Sequence, residues 1–300
     1  MRTRRGSAAP GARSALDAAQ KPGAGVPAYT RWVNRRGARL VASLGATRGW
    51  TPNAVTGMSA LASAVGMVLL VAVPPSPLLG VGVAVALATG YLLDSADGQL
   101  ARLSGQSSKA GEWVDHVVDG FRSPAIHLCV AVAVVLHVPD ARWLAPVALV
   151  FALVTSGQFL SQILAEAMLR GAGAAQRRGG DLRSWVLLPT DPGVLCWSFL
   201  LWGTGAPFAV TYSCLAAVAV VHAAFSLRRR HRDLLAIDAS ASTSEAVAGP
   251  AATGAGSPGA TEPTAPSPSS TTAADTGTDH GARLLAVPPP SAPQGGDGRA

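Results

Sequence analysis

Four aspartates lie close together in one short segment of the chain. Asp94 and Asp97 fall in the sequence D-S-A-D-G-Q-L-A-R, and Asp115 and Asp119 fall in G-E-W-V-D-H-V-V-D. Both segments adjoin apolar runs of membrane-spanning length, where an aspartate at a helix centre costs roughly 2.5 to 3.5 kcal/mol to insert. Acids in such a costly position are by default a functional-site hypothesis.

Each pair of aspartates would share one helix face, because residues three or four positions apart stack on a helix. Four carboxylates brought together would repel one another by about 1 to 4 kcal/mol per pair at a separation of about 4 Å, so a cation must compensate them. Hard divalent ions take oxygen ligands, and Mg²⁺ commonly binds carboxylates together with substrate phosphates. The pattern therefore predicts a site with two Mg²⁺ or Mn²⁺ ions that acts on a phosphate ester.

Small and basic residues accompany the aspartates. Gly98 and Gly111 would leave their helices bare where a substrate approaches closely. Arg102, one turn after Gly98, is placed to meet a phosphate. Taken singly, Asp94 or Asp119 could equally lie in a solvated loop, so it is the spacing of the whole set that favours a site.

The elements that must position these residues are apolar helices. Hydrophobic residues make up 49% of the chain and charged residues 14%, which excludes an ordinary soluble domain. Six apolar runs approach the length of about 20 residues that crosses a bilayer as a helix. They are 53–73, 77–98, 112–136, 143–168, 185–204 and 207–227. The sequence therefore predicts an all-α, polytopic membrane protein with six transmembrane helices.

The distribution of basic residues predicts the orientation of these runs. Lysine and arginine are retained on the cytoplasmic side in short loops. If the N-terminus lies inside, the outer loops hold only Arg142, and every other basic loop is cytoplasmic. Both termini and the four aspartates are then expected on the cytoplasmic side of the plasma membrane. The net charge of +7 mostly reflects this bias, so nucleic acid is not an expected partner.

The segments outside the apolar runs differ in character. An interfacial amphipathic helix is predicted ahead of the first run, because apolar residues recur there at helical spacing between arginines. Its apolar positions are Tyr29, Trp32, Val33, Leu40, Val41 and Leu44. Residues 1–27 are predicted to be a disordered basic tail and residues 236–300 a disordered Ala/Ser/Thr/Pro/Gly-rich tail. The membrane domain is then residues 28–235.

The segment from Asp94 to Asp119 resembles the signature of the CDP-alcohol phosphatidyltransferase family. That signature is D-x-x-D-G-x-x-A-R-x(8)-G-x-x-x-D-x-x-x-D, and no fixed position departs from it. The resemblance extends over roughly residues 28 to 230 and leaves both tails unexplained. It implies an integral membrane homodimer in which an alcohol attacks the β-phosphorus of a CDP-linked donor, usually CDP-diacylglycerol, and CMP leaves.

The same resemblance implies a role for each matching residue. Asp94, Asp97 and Asp115 would be metal ligands. Asp119 would bind the second metal ion and act as the general base. The residues implied at the CDP-donor site are Gly98, Ala101, Arg102, Ser108, Gly111, Asn53 and Thr56.

A polar stripe on the fourth apolar run bears on the acceptor alcohol. Glutamines, a glutamate and an arginine recur there every four residues, at Gln158, Gln162, Glu166 and Arg170. Such a stripe would be costly against lipid, so it is expected to face a cavity and contact the acceptor. Hydrogen bonding between helices, without a substrate, is the alternative.

Two further features suggest different acceptors. Arg122, Arg177 and Arg178 could bind the phosphate of glycerol phosphate or inositol phosphate, or they could serve only the positive-inside bias. Against a phosphorylated acceptor, His116 makes the second aspartate segment look like the variant of aminoalcohol phosphotransferases, which use a CDP-alcohol and diacylglycerol. A plain packing role for His116 is the simpler interpretation.

A membrane cation transporter is the alternative from another class. It predicts acids near the middle of the membrane on discontinuous helices. Here the acids fall at the ends of apolar runs, beside Gly98, Ala101 and Arg102, which a cation path does not need. The sequence therefore favours a phosphotransferase that works with membrane lipids.

Overall fold

The computed structural model describes residues 26–172 and 181–247, and these residues are helical with no strand among them. The predicted all-α class is thus confirmed for the described part of the chain. A π-helical turn at Thr30–Asn34 precedes the first helix. The helices are α1 (Arg35–Arg48), α2 (Pro52–Ala72), α3 (Pro77–Leu103), α4 (Lys109–His137), α5 (Leu144–Gly171), α6 (Asp181–Val186), α7 (Pro192–Ser198) and α8 (Ala206–Val247).

Five helices of the described residues are long and apolar enough to cross a membrane. They are α2, α3, α4, α5 and the Ala206–Ser240 part of α8. The predicted fifth run, 185–204, is instead divided between α6, α7 and two short 3-10 turns. Pro189 and Pro192 account for the division, because proline lacks an N–H and its ring clashes with the preceding helical turn. The predicted count of six spanning helices is therefore not confirmed.

Short caps fix where the spanning helices begin. Thr51 and Ser76 each accept a hydrogen bond from the backbone N–H three residues later, and Pro52 and Pro77 occupy the first helical position. Proline is suited to that position because its missing N–H has no partner there anyway. Ser108 caps α4 in the same way. An N-cap of this kind contributes about 1 kcal/mol, so these loops define the starts of the helices locally.

Six of the helices form a closed ring. Helix α3 packs against α2, α2 against α4, α4 against α5, α5 against α8, α8 against α7, and α7 against α3. Helix α2 thus lies beside both of the helices that carry the aspartates. The interior of the ring is a cavity, which is described below.

Small residues let α2 and α3 approach closely. A Cβ added to Gly90 would collide with Ser63 Oγ and lie 3.0 Å from the carbonyl oxygen of Ser59. The Ser59 hydroxyl donates a hydrogen bond to the Gly90 carbonyl at 2.8 Å. Small residues at helix interfaces in membranes commonly permit such close backbone contact. The contact brings the polar residues at the start of α2 next to α3.

The exterior of the ring is apolar as well as its core. Leu78 is 82% exposed and Leu153 is 74% exposed, while Val83 and Val130 are fully buried. Large apolar side chains exposed over whole helices suit a lipid environment rather than water. Together with the five apolar helices, this surface indicates an integral membrane protein.

Helix α1 lies against the end of α3. Ala38 and Ala42 pack with Ala96 and Leu100, whereas Leu40 is 73% exposed. The segment ahead of the first span thus forms a helix in the structure. Its place at a membrane interface stays a prediction. Residues 1–25 and 248–300, like the predicted phosphate ligands Arg177 and Arg178, lie outside the described residues. Helix α8 continues beyond residue 235, the predicted domain boundary.

Candidate active site

The two pairs of aspartates meet where the last turns of α3 lie beside the first half of α4. One carboxylate oxygen from each of Asp94, Asp97 and Asp115 lies within 4.8 Å of the other two. Asp119 lines the same cavity, and its carboxylate contacts the guanidinium of Arg122. The structure therefore brings all four predicted residues to one place and groups three of them around a common point.

Asp97 is oriented by a residue from α2. The Thr56 hydroxyl donates a hydrogen bond to Asp97 Oδ2 at 2.6 Å, and both residues are buried. The family resemblance implied Thr56 at the CDP-donor site. That role stays a prediction, and the position of Thr56 adds an orienting one, because a hydrogen bond to a ligating carboxylate fixes the direction of the other oxygen.

Arg122 is a partly buried cation in contact with the cluster. Its Nη2 lies 2.8 Å from Asp94 Oδ1 and also contacts Asp119 Oδ1. Its Nη1 donates a hydrogen bond to Ser59 Oγ at 2.8 Å. The sequence predicted Arg122 as a ligand for an acceptor phosphate. In the structure, its guanidinium compensates two carboxylates of the cluster, and a contact with an acceptor phosphate stays a prediction.

The cluster opens into a cavity of about 740 Å³ inside the ring of helices. Several arginines line this cavity together with the aspartates. They are Arg35, Arg102, Arg122, Arg229 and Arg230. Burial lowers the pKa of the Arg35 guanidinium, which still stays charged at neutral pH. The cavity thus combines a carboxylate cluster with a set of cations, an arrangement suited to a phosphorylated substrate and a metal ion.

Two of the predicted donor-site residues lie on the cavity wall at the end of α3. A Cβ added to Gly98 would lie 3.3 Å from Nη1 of Arg102, so the bare glycine gives this guanidinium room above the helix. Gly98 and Arg102 line the cavity. Ala101 is not among the described residues that line it.

Three other predicted donor-site residues are neighbours at the start of α4. Ser108 Oγ accepts a hydrogen bond from the N–H of Gly111 at 3.0 Å. A Cβ added to Gly111 would lie 3.1 Å from Ser108 Oγ and 3.6 Å from Asn53 Oδ1. Gly111 is one turn before Asp115, so this polar group adjoins the cluster.

The polar stripe of α5 mostly faces the cavity, as predicted. Gln158, Gln162 and Glu166 line it. Gln158 also lies 3.0 Å from His222 Nδ1 of α8, so it links two helices. Arg170 donates a hydrogen bond to Glu112 Oε1 at 3.1 Å and is not among the described cavity residues.

A second buried acid was missed by the sequence reasoning. Asp191 precedes α7 and accepts hydrogen bonds from the N–H and the hydroxyl of Thr30, at 2.7 and 2.9 Å, and from the N–H of Gly193 at 2.9 Å. The Thr30 hydroxyl lies 2.6 Å from the phenol oxygen of Tyr91. The signal was present, because Asp191 is an acid inside a predicted apolar run. It stands alone there, whereas the other aspartates recur at helical spacing.

Cavity arginines were also missed. The sequence alone predicts Arg229 and Arg230 only as basic residues of the positive-inside pattern, and Arg35 only as a basic residue of the interfacial helix. All three line the cavity. A charge count along the sequence cannot separate a loop arginine from one that points inward, because that depends on the helix rotation set by packing.

The donor set fits a hard divalent cation. Three carboxylate oxygens within 4.8 Å of one another are of the ligand type that Mg²⁺ and Mn²⁺ prefer, and they lie close enough together to converge on one ion. Asp94, Asp97 and Asp115 would hold such an ion. The hydrogen bond from Thr56 to Asp97 supplies the kind of outer support that metal-binding carboxylates commonly have.

These features define a polytopic helical membrane protein whose internal cavity holds a carboxylate cluster. A family model described as CDP-alcohol phosphatidyltransferase matches residues 50–225. The chain therefore belongs to the CDP-alcohol phosphatidyltransferase family, as the sequence resemblance implied. Membership supports a transferase activity, phosphatidyl transfer in phospholipid synthesis. A comparison with curated proteins gives no match.

Proposed function

We propose that this protein transfers a phosphatidyl group from CDP-diacylglycerol to an alcohol and releases CMP, with Mg²⁺ or Mn²⁺ bound at the aspartate cluster. The observation that carries the proposal is the convergence of Asp94, Asp97 and Asp115 within 4.8 Å, beside Asp119, in the region that matches the family. Such a cluster serves a reaction in which negative charge builds up on a diphosphate.

Each of these cavity residues would have its own role in the reaction. Asp119 accepts the proton of the acceptor hydroxyl while the new oxygen–phosphorus bond forms and the bond to CMP breaks. Arg122 orients the Asp119 carboxylate. Arg102 and Arg35 meet the diphosphate oxygens, and Gly98 lets the donor approach the helix. A bound divalent ion would neutralise the diphosphate and the charge that develops on CMP.

The acceptor is proposed to be an alcohol that carries a phosphate, such as glycerol phosphate or inositol phosphate. Arg229 and Arg230 of α8 support this, because they line the same cavity as the cluster. Gln162 and Glu166 add groups that can hydrogen-bond hydroxyls. His116, which suggested the aminoalcohol alternative, lies edge-on to Phe159, an arrangement typical of packing.

The test is CMP release by the purified full chain in lipid nanodiscs with CDP-diacylglycerol and Mn²⁺. Glycerol 3-phosphate and inositol phosphate are compared with glycerol, inositol and serine, and CDP-choline with diacylglycerol is run beside them. We expect CMP release with a phosphorylated acceptor alone. Release only from CDP-choline would establish the aminoalcohol type, and release from no combination would contradict the proposal.

A matched pair of variants tests whether Asp119 acts as the general base of the reaction. Asp119→Asn should release CMP about 10²- to 10⁴-fold more slowly, because it removes the proton acceptor. Asp140→Asn, an exposed aspartate between α4 and α5, should keep the wild-type rate. Full activity of Asp119→Asn would exclude it as the base. Metal flux in proteoliposomes without CMP release would favour the cation transporter.

The cellular arrangement stays a prediction. The positive-inside pattern supports a cytoplasmic active site in the plasma membrane. The homodimer is implied by the resemblance to the family.

A further inference from the structure

A buried histidine lines the inner part of the cavity, away from the aspartates. His127 lies on α4 roughly two helical turns, or about 12 Å along the axis, beyond Asp119. It is 1% exposed, and its ring stacks on Phe151 with the ring centroids 3.8 Å apart. His127 Nδ1 lies 2.8 Å from the phenol oxygen of Tyr212. These contacts hold the imidazole in one orientation at the cavity wall.

The hydrogen bond between His127 and Tyr212 determines which ring nitrogen carries the hydrogen. Tyr212 is fully buried, and its hydroxyl has no second partner among the described residues. The hydroxyl therefore donates to His127 Nδ1, because a buried donor without an acceptor is costly. The neutral imidazole then carries its own hydrogen on Nε2. No described residue accepts a hydrogen bond from this Nε2–H.

A second unpaired donor lies at a similar depth in the ring of helices. Ser63 of α2 is 1% exposed and lines the cavity, and its Oγ has no hydrogen-bond partner among the described residues. Helices α2 and α4 run in the same direction, as shown by their hydrogen bonds at Ser59–Arg122 and Val71–His137. Ser63 lies one turn beyond Ser59. His127 lies little more than one turn beyond Arg122, so the two unpaired donors are at about the same level.

The ligand group that suits these two donors is a neutral acceptor. Apolar side chains of the same buried cluster line the cavity here, among them Leu87, Ile126 and Leu215. An anion would lose its hydration in such surroundings without a cation to replace it. A carbonyl oxygen has two lone pairs and can accept from both donors. In CDP-diacylglycerol, the ester carbonyls lie a few bonds beyond the phosphate, on the side of the acyl chains.

We propose that His127 and Ser63 donate hydrogen bonds to a fatty-acid ester carbonyl of the lipid donor. The inner cavity would thereby select ester-linked over ether-linked CDP-lipids, because an ether lipid lacks the carbonyl and leaves both donors unpaired. This inference rests on the proposed function and names the part of the donor that this end of the cavity recognises.

A comparison of two donors tests the proposal in the wild type. CDP-diacylglycerol and a dialkyl ether CDP-lipid of equal chain length are supplied separately to the full chain in nanodiscs, with Mn²⁺ and the acceptors named above. CMP release gives kcat, and KM as a mole fraction of lipid, for each donor. We expect KM to be about 10-fold lower for the ester donor, with similar kcat, because one carbonyl satisfies the two buried donors.

Substitutions assign the preference to the two side chains. His127→Phe keeps a ring to stack on Phe151, and Ser63→Ala removes only the hydroxyl. We expect KM for the ester donor to rise roughly 5- to 10-fold in His127→Phe and by a smaller factor in Ser63→Ala, with KM for the ether donor unchanged. Combining His127→Phe with Tyr212→Phe leaves no hydroxyl unsatisfied and serves if the single variant fails to fold. His137→Phe, the matched change on α4 outside the described cavity residues, should keep the wild-type preference.

The outcomes separate this inference from the proposed function. Equal KM for the two donors in the wild type would overturn the ester contact and leave phosphatidyl transfer standing. So would a preference that persists in the folded variants, or a KM that rises equally for both donors, which indicates a role in packing alone. CMP release from neither donor would overturn the proposed function itself and this inference with it.

Discussion

Two acidic regions line the same cavity, and the protein holds them in opposite ways. Asp191 is 1% exposed and accepts three hydrogen bonds, two from Thr30 and one from Gly193. The motif aspartates are instead placed against one another, with oxygens of Asp94 and Asp97 among those within 4.8 Å. The first region is one carboxylate matched by neutral donors, and the second is a group of carboxylates that needs cations, of which Arg122 contacts Asp94 and Asp119.

The difference distinguishes a structural carboxylate, Asp191, which we call the anchor, from the functional site formed by the motif aspartates. A single buried carboxylate can be stabilised by polar hydrogen atoms of the protein, and it then ties together the elements that donate them. Asp191 ties the segment before α1 to the start of α7 in this way. Grouped carboxylates cannot be balanced by neutral donors, because their mutual repulsion persists until a cation binds. The grouping of several acids, rather than the burial of one acid, therefore marks the functional region.

The largest expected effect is that of Asp97→Asn. We expect about 10³-fold slower CMP release and a matching loss of Mn²⁺ affinity, because a charged ligand becomes a neutral one. Thermal stability should not fall, since one of several like charges is removed. CMP assays, Mn²⁺ titration and thermal denaturation of the same preparation measure all three. Unchanged Mn²⁺ affinity would remove Asp97 from the metal site.

Asp191→Ala should show the reverse pattern. Its loss leaves the N–H groups of Thr30 and Gly193 without their acceptor, and each such buried group costs about 1 to 3 kcal/mol. We expect the free energy of unfolding to fall by about 3 kcal/mol and Mn²⁺ binding to stay as in the wild type. If Asp191→Ala instead lost Mn²⁺ binding at full stability, the contrast between the two regions would be wrong.

Thr56→Val tests whether the aspartate cluster needs its hydrogen bond from α2. The substitution removes the hydrogen bond of 2.6 Å to Asp97 while keeping the shape of the side chain. Loss of an outer-shell partner typically costs 10- to 100-fold, so we expect roughly 10-fold weaker Mn²⁺ binding. Wild-type Mn²⁺ affinity in Thr56→Val would mean that Asp97 does not need this support.

The smallest expected effect is that of Thr30→Val, the matched change at the anchor. It removes the hydroxyl hydrogen bond to Asp191 and the hydroxyl contact with the Tyr91 phenol, and it leaves the backbone hydrogen bond to Asp191 in place. We expect a loss of about 1 kcal/mol in stability, seen as a lower midpoint of thermal denaturation, and wild-type Mn²⁺ binding. A larger loss of Mn²⁺ affinity than in Thr56→Val would reverse the assignment of the two regions.

Much of the fold follows from local sequence. The apolar runs that became α2 to α5 and α8 are long enough to span a bilayer, and a cap followed by proline marks the start of α2 and α3. The prediction of a spanning helix over 185–204 was wrong, because the run is hydrophobic enough but is interrupted by prolines. Pro189 and Pro192 act locally, so the break could have been expected from the sequence.

By itself, the sequence determined the helical class, the family and the residues that meet at the cluster, because spacing along a helix places Asp94 with Asp97 and Asp115 with Asp119. The partners of those residues were decided only by tertiary structure. Thr56 reaches Asp97, and Arg122 reaches Asp94, because α2 packs against both α3 and α4. Contacts between helices depend on how each helix is rotated and how closely small residues let it approach, which no local pattern encodes.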